Sequence, residues 1–262
     1  MKKILTTLAL TATLFNSLNA DMGRIEMGAG MWKQTPTGTM SYTDPDTGVT
    51  GLYTSDKKED STAYVWMLIK HPIPIVPNIR LEYTSVKDTG IVSGKFKDFD
   101  VPVIIPGTMP TTTASIEMTQ YDVIPYYNIL DNTLWTTLDI GVDLKIQETS
   151  YKAKGVEIDG IANQNYEDSV TVVIPLAYAR VRVEIPVTNI GLEADVKYIS
   201  YDGSTISDIR VKVDYTLAFI PVVQPAIEVG YRVQKFDLTS DDDATKMDME
   251  FSGMYAGLML RF

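Results

Sequence analysis

Cysteine is absent from this 262-residue sequence, and histidine occurs once, as His71. The chain therefore has no disulfide, no thiolate metal site and no thiol nucleophile. A Ser-His-Asp or His-Asp mechanism would depend on His71 alone, since both need an imidazole beside the reacting group. We expect no catalytic residue, no cofactor and no metal site, and interpret His71 as part of a turn.

Basic residues are also few: 23 Lys and Arg stand against 34 Asp and Glu, a net charge of -11. Proteins that bind nucleic acid need a basic face, so this partner class is excluded. Acidic runs occur at Asp241, Asp242 and Asp243 and at Asp44 and Asp46. Neither run completes a calcium-loop spacing, and we interpret both as solvated loops.

Long hydrophobic runs are missing beyond residue 20, where no segment approaches the roughly 20 apolar residues of a membrane helix. The N-terminus has the order of an export signal: Lys2 and Lys3, an apolar stretch over 4–15, and small residues before Ala20. We predict a signal peptide over 1–20, cleaved after Ala20, and a mature domain over 21–262.

Apolar and polar residues alternate along the mature sequence with a period of two. Ile209, Val211 and Val213 lie in one row, with Arg210 and Lys212 between them. Successive side chains of a strand point to opposite faces, so such a segment has one apolar and one polar side. Several segments exceed the 9–11 residues with which a tilted strand crosses the hydrocarbon core. This favours an exported transmembrane barrel over a soluble sheet.

Connections between these segments alternate in character. Short, proline-bearing connections fall at 71–78, 125–132, 186–189 and 221–225, and longer or more polar ones at 34–60, 99–110, 151–167, 202–205 and 239–247. Short turns at one rim and long loops at the other are typical of outer-membrane barrels. The fold class is therefore all-β, a transmembrane antiparallel up-and-down barrel of ten strands, with eight or twelve as alternatives. The ten predicted strands are 22–33, 61–71, 78–98, 111–124, 133–150, 168–185, 189–201, 206–220, 226–238 and 247–262.

The C-terminal strand carries the sharpest motif. The chain ends on Phe262, preceded by Leu260, Leu258, Gly257 and Tyr255. This resembles the terminal-strand signal by which outer-membrane barrels are recognised by their assembly machinery, which we therefore expect as a partner.

The chain also resembles a family of small proteobacterial outer-membrane β-barrels without an established activity. The likeness is carried by residues 28–32 (GAGMW), 38–42 (GTMSY), 63–66 (AYVW), 70–74 (KHPIP) and 78–83 (NIRLEY). The resemblance implies location in the bacterial outer membrane among lipid and lipopolysaccharide, and it implies no catalytic residues.

Charged side chains on the polar rows are predicted to face the lumen and to pair there, because unpaired charges in a confined interior are costly. The predicted lumen residues are Asp139, Asp143, Lys145, Glu193, Asp195, Lys197, Arg210, Lys212, Asp214, Glu228 and Arg232. Aromatic girdles at the lipid–water boundaries are expected from Trp32, Trp66, Trp135, Tyr126, Tyr127 and Tyr178.

Three roles follow as hypotheses for a monomeric barrel. The first is an envelope-structural protein or a narrow, charge-lined pore for small solutes, with residues 34–60 folding inward to constrict it. The second is a surface-binding, adhesin-like barrel acting through its acidic loops. The third, a barrel hydrolase, is disfavoured because the sequence offers no recognisable catalytic constellation.

Overall fold

The computed structural model describes residues 23–43, 50–73, 75–93, 95–98, 101–104, 112–158, 161–217, 223–239 and 244–262. Thirteen strands account for nearly all of them. They are β1 (Arg24–Thr43), β2 (Thr50–Ser55), β3 (Asp60–Lys70), β4 (Asn78–Ser93), β5 (Lys95–Asp98), β6 (Val101–Ile104), β7 (Thr112–Thr133), β8 (Thr136–Ile158), β9 (Ile161–Ile185), β10 (Ile190–Tyr201), β11 (Ser204–Thr216), β12 (Gln224–Thr239) and β13 (Thr245–Arg261). None of these described residues is helical, and no helix here is long and apolar enough to cross a membrane.

The strands form a closed antiparallel barrel with ten positions. β1 pairs with β13, which closes the ring. β2 and β3 share one position, because both lie between β1 and β4 and are separated only by residues 56–59. Around the ring the order is β1, β2 with β3, β4, β7, β8, β9, β10, β11, β12 and β13. The predicted fold class and strand number are confirmed.

Alternation divides each strand into an inner and an outer row. On β8, Leu138, Ile140, Val142, Leu144 and Ile146 face outward, and the intervening Asp139, Asp143 and Lys145 are buried. Comparable outer rows run over 25–31 of β1, 209–215 of β11 and 254–260 of β13. These rows form an apolar belt about seven to nine residues high, close to the roughly 9–11 residues with which a tilted strand crosses the hydrocarbon.

Several predicted strand ends are wrong, and most of the errors share a cause. Residues 34–43 and 50–55 belong to β1 and β2 rather than to a loop, so these parts of the predicted 34–60 loop do not fold inward as a constriction. The predicted loop at 151–167 is mostly strand, and β6 lies inside the predicted loop at 99–110. The predicted turn at 125–132 is also strand, because β7 continues to Thr133.

The errors at the upper rim arise because the strands continue above the belt, where the outer row becomes polar. Thr35, Thr37 and Thr39 follow Met31 on the outside of β1, and Glu148, Ser150 and Lys152 follow Ile146 on β8. Alternation of apolar and polar residues therefore ends where the barrel leaves the apolar belt, although hydrogen-bonded pairing continues.

Candidate functional site

The lumen at the level of the apolar belt is filled by ionised side chains. The eleven residues predicted to face the lumen are all buried. Eight further buried charges lie among them: Glu26, Arg80, Glu82, Asp122, Arg180, Arg182, Asp208 and Arg261. We call these nineteen residues the lumen network. The additional members carry the same signal in the sequence, since Arg80 and Glu82 alternate with Ile79, Leu81 and Tyr83.

Two carboxylates organise the periplasmic half of the lumen network. Asp214 accepts hydrogen bonds from Arg182, at 2.7 and 3.0 Å, and from Arg261 at 2.7 Å. Glu193 accepts a hydrogen bond from Arg180 at 2.7 Å, and Lys212 lies 3.3 Å from it. Such charge-assisted bonds are the strong class of hydrogen bond.

Glu82 connects opposite walls of the barrel. Arg210 donates to Glu82 over 2.5 Å, although β11 and β4 lie five positions apart in a ring of ten. Lys197 of β10 donates to the same carboxylate at 2.7 Å and also to Asp122 of β7. Side chains from opposite walls therefore meet at the barrel axis.

An amide layer lies above these ions. Gln234 donates to Gln120 at 2.8 Å, again between strands five positions apart, β12 and β7. Lys145 donates to Gln120 at 3.3 Å and to Asp122 at 2.8 Å, which joins the amide layer to the charges below it.

Asp143 is the exception within the lumen network. Its side chain is fully buried, and neither carboxylate oxygen has a hydrogen-bond partner among the described residues. Lys197 lies 3.7 Å away, but its ammonium group is already held by Glu82 and Asp122. Asp143 is therefore the weakest-bound charge of the set.

The interior above the amide layer is mostly apolar. It is filled by Met40, Val86, Val92, Ile116, Met118, Ile206, Phe236, Met247, Met249 and Phe251. Phe236 and Phe251 pack edge to face, with ring centroids 6.2 Å apart. We call this set the upper core. It packs like the interior of a soluble protein and has no counterpart in the sequence-based prediction, which placed only charges inside.

The girdle prediction is wrong for four of its six aromatic residues. Trp32, Trp66, Tyr126 and Tyr178 are buried inside the barrel, whereas Trp135 and Tyr127 are exposed. The buried four occupy the inner row of their strands, so strand parity overrides the preference of aromatics for the interface. Trp66 donates to Glu228 over 3.1 Å, and the Lys212 ammonium lies 4.4 Å from its ring centroid.

Little free space remains in the lumen network. A cavity beside Trp66 and Arg210 measures about 10 Å³, and another near Glu26 and Tyr126 measures about 30 Å³. A single buried water needs roughly 10–15 Å³ of such volume, so each of these spaces has room for only a few isolated waters.

A buried carboxylate lies above the apolar belt and forms no ion pair with any described Lys or Arg. Asp88 is buried and accepts hydrogen bonds from Tyr53 at 2.8 Å and from Ser55 at 2.9 Å. Burial raises the pKa of Asp88, against the opposing effect of these two donors. The same arrangement raises the pKa of the Tyr53 hydroxyl, through burial first and the Asp88 charge second.

The hairpin of β5 and β6 lies at the top of the barrel wall. β6 pairs with the upper end of β8 at Val103 and Ile104, while the backbone of β5 lies against β1 and β2. β2 and β8 flank β4 and β7 in the ring, so the hairpin continues the wall above β4 and β7.

His71 lies in the turn between β3 and β4. Its backbone N–H donates to Asn78 at 3.1 Å, and Nε2 lies 3.0 Å from the carbonyl oxygen of Pro77. The acidic runs at 44–46 and 241–243 and the predicted signal peptide over 1–20 lie outside the described residues. Elsewhere, no cluster of three or more metal-ligating side chains occurs in the described part of the chain.

The predicted C-terminal signal lies at the seam of the barrel. Leu258 and Leu260 face outward, Tyr255 faces the lumen, and Gly257 pairs with Gly30 of β1. The Phe262 amide donates to Ile25 over 2.9 Å, so the last residue takes part in closure. Its recognition by the assembly machinery stays a prediction.

Comparison with known proteins shows the fold. No family model matches the chain, and no curated protein matches it. Among solved structures, the outer-membrane protease OmpT of Escherichia coli is similar at a TM-score of 0.54 and 9% identity, covering 91% of this chain and 97% of that one. Ail, the attachment invasion locus protein of Yersinia pestis, gives a TM-score of 0.36 at 10% identity, over 92% and 99% of the two chains. OprG of Pseudomonas aeruginosa gives 0.36 at 12%, over 92% and 97%. At 9% identity the likeness to OmpT shows an outer-membrane type of barrel and no activity.

Proposed function

We propose that this protein is a closed barrel of the bacterial outer membrane, which acts at the cell surface rather than as a diffusion pore. The observation that carries the proposal is the set of bonds across the lumen, above all Arg210 to Glu82 and Gln234 to Gln120. Each joins strands on opposite sides of the ring, and the other buried side chains of the lumen network lie around them.

The upper core adds a second closure. A solute that passed the ions would meet tightly packed methionine and phenylalanine side chains, and interiors of this kind have few voids larger than a water molecule. Two successive barriers of opposite polarity, one ionic and one apolar, oppose the passage of ions and of apolar solutes alike.

The part of the protein that remains available for function is the barrel wall above the apolar belt. β8 runs from Ile146 to Ile158 beyond the belt, about 40 Å of strand at roughly 3.3 Å per residue. Its outer row is hydrophilic, and exposed ion pairs such as Lys87–Glu117, 3.0 Å, tie neighbouring strands together there. We propose that this raised wall presents the binding surface, in a monomer surrounded by lipopolysaccharide.

The proposal assigns no catalytic role. Its support is the position of the single imidazole, which is held in the turn between β3 and β4 by Asn78 and Pro77, away from the raised wall. The interior Asp and Glu residues of the lumen network lie in ion pairs with Arg or Lys, Asp143 weakest among them.

Conductance of the refolded mature chain in a planar bilayer tests the proposal. A heat-modifiable gel shift first verifies that the barrel has formed, and a known open porin in the same bilayer verifies the assay. We expect no discrete conductance steps above background from the wild-type protein. Reproducible steps whose ion selectivity changes in Arg210→Gln would contradict the closed-barrel proposal and assign solute passage to the lumen network.

A further inference from the structure

The barrel wall is uneven, and the largest step lies between β9 and β10. β9 has 25 residues, whereas β10 has 12 and β11 has 13. A strand of 12 residues is only slightly longer than a membrane crossing requires. The β10–β11 turn at Asp202 and Gly203 therefore lies near the outer surface of the bilayer, while β8 and β9 continue well above it.

This step leaves one edge of β9 free. Pairing between β9 and β10 ends at Ala177 and Tyr198. Above that point, residues 161–176 pair only with β8 among the described residues. Pro175 lies two residues beyond the last pair, where its missing N–H suits a strand edge. We call the gap between this edge and the β10–β11 turn the notch.

Apolar surface continues from the belt into the notch. Tyr198 and Val173 face outward at its two sides and are 49% and 65% exposed. Val172 belongs to the inner row of β9 but is still 40% exposed, because the neighbouring wall is missing. The apolar outer surface therefore continues over the free edge of β9 onto the inner face of the barrel.

A cavity of about 220 Å³ lies at the notch. Its walls are the side chains of Ile174, Ile199, Ile206 and Leu238, and Tyr201 and Thr205 lie among its polar lining residues. It is far larger than the spaces in the lumen network and somewhat smaller than the 300–1,000 Å³ typical of sites for whole drug-sized ligands. The remaining polar lining residues are Asp202, Ser204 and Thr239, so the cavity has an aliphatic side and a polar side.

We propose that the notch is a binding site for the acyl chain of a single amphiphile from the outer leaflet. The chain would enter the aliphatic cavity, and its polar head would lie among Tyr201, Thr205 and the bilayer headgroups. Continuity between the cavity and the apolar belt favours this occupant over a solute from the aqueous phase. The inference depends on the barrel lying in a bilayer and not on the lumen being closed, so the conductance experiment and this one can fail separately.

The natural absence of cysteine makes the site testable with single-cysteine variants. Ile199→Cys places a thiol on the cavity wall, and Tyr198→Cys places one on the adjacent lipid-facing position. Met249→Cys, in the upper core, reports on access to the packed interior. Each variant is refolded into phosphatidylcholine nanodiscs, checked by its heat-modifiable shift, and treated with alkyl methanethiosulfonates of increasing chain length.

We expect the labelling rate of the Ile199→Cys variant to rise about three- to fourfold per added methylene, the factor for moving one methylene out of water. Lysophosphatidylcholine with a 12-carbon chain should slow labelling of this variant at least tenfold. The same lysolipid should leave labelling of Tyr198→Cys unchanged, while Met249→Cys stays unreactive throughout. Ile174→Cys, on the β9 side of the cavity, should show the same protection as Ile199→Cys. Agreement between the two variants would exclude a folding defect in one of them as the cause.

Chain-length-independent labelling of both cavity variants, or labelling without protection by the lysolipid, would overturn the proposal. The free β9 edge would then be better explained as a surface on which a partner adds a strand.

Discussion

At the scale of single residues, charges in the lumen network differ in how well they are compensated. Asp122 holds both Lys145 and Lys197, whereas Asp143 accepts no hydrogen bond from any described residue. Removing one partner of a well-formed buried pair leaves an uncompensated charge, which is far more costly than removing a charge that lacks partners. An Asp→Asn substitution should therefore affect stability differently at these two aspartates, which lie on neighbouring strands.

We expect Asp122→Asn to lower the free energy of unfolding by about 3 kcal/mol, since two buried lysines lose an anionic partner. Asp143→Asn should leave it unchanged or raise it. Urea unfolding of refolded protein in vesicles, followed by the heat-modifiable shift, measures both. Equal losses in the two variants would show that Asp143 is as well compensated as Asp122.

At the scale of elements, the seam between β1 and β3 depends on one glycine. Gly28 lies opposite Trp66, and a Cβ at Gly28 would come within 2.4 Å of the indole nitrogen. The ring cannot move aside freely, because it donates to Glu228 and lies against Lys212 and Arg80. The small residue here makes room for the aromatic side chain in the lumen.

Gly28→Ala should therefore destabilise the barrel by about 1–3 kcal/mol, the usual cost of overpacking a filled interior. The midpoint temperature of the heat-modifiable shift measures the effect. Ala29→Val on the lipid-facing side of the same strand is the matched control and should shift this temperature little. A stable Gly28→Ala barrel would mean that the Trp66 ring can leave its position beside Glu228.

The bounds of a strand were predictable wherever its two faces lie in different surroundings. β10, β11 and β12 differ from their predicted bounds by only a few residues, because apolar and charged residues alternate along their membrane-crossing parts. β1, β8 and β9 were predicted too short. Their upper parts combine a hydrophilic outer row with an apolar inner row, or with threonines and tyrosines that carry no clear period.

At the scale of the whole molecule, closure is layered from the periplasmic side outward: ions, amides, then the upper core. This layering differs from a pore constricted by a single inward-folded loop. Residues 34–43 and 50–55, part of the segment predicted to constrict the lumen, instead belong to the wall.

Replacing residues 94–111 with a short Gly-Ser turn should therefore leave the barrel non-conducting, because the layers beneath the hairpin stay in place. Planar-bilayer recordings of this variant beside the wild type make the comparison. Conductance steps that arise only in the shortened protein would show that the hairpin, and not the lumen, closes the barrel.

Sequence alone determined the antiparallel barrel and the inward orientation of the charged rows, and it favoured ten strands over eight or twelve. The export signal stays a prediction. The barrel and its charged rows follow from local patterns, since a period of two assigns each side chain to a face without knowledge of its neighbours. The same rule assigns Arg80, Glu82 and Asp122 to the inner face, because they alternate with apolar neighbours.

Only the tertiary structure decided which charges meet, because Arg210 and Glu82 lie 128 positions apart and are brought together by ring closure and strand tilt. It also decided which side chains fill the upper interior, and that a notch interrupts the wall beside β10. Each of these depends on the relative heights of neighbouring strands. Strand height is set by pairing register around the whole barrel, and no local pattern in the chain encodes it.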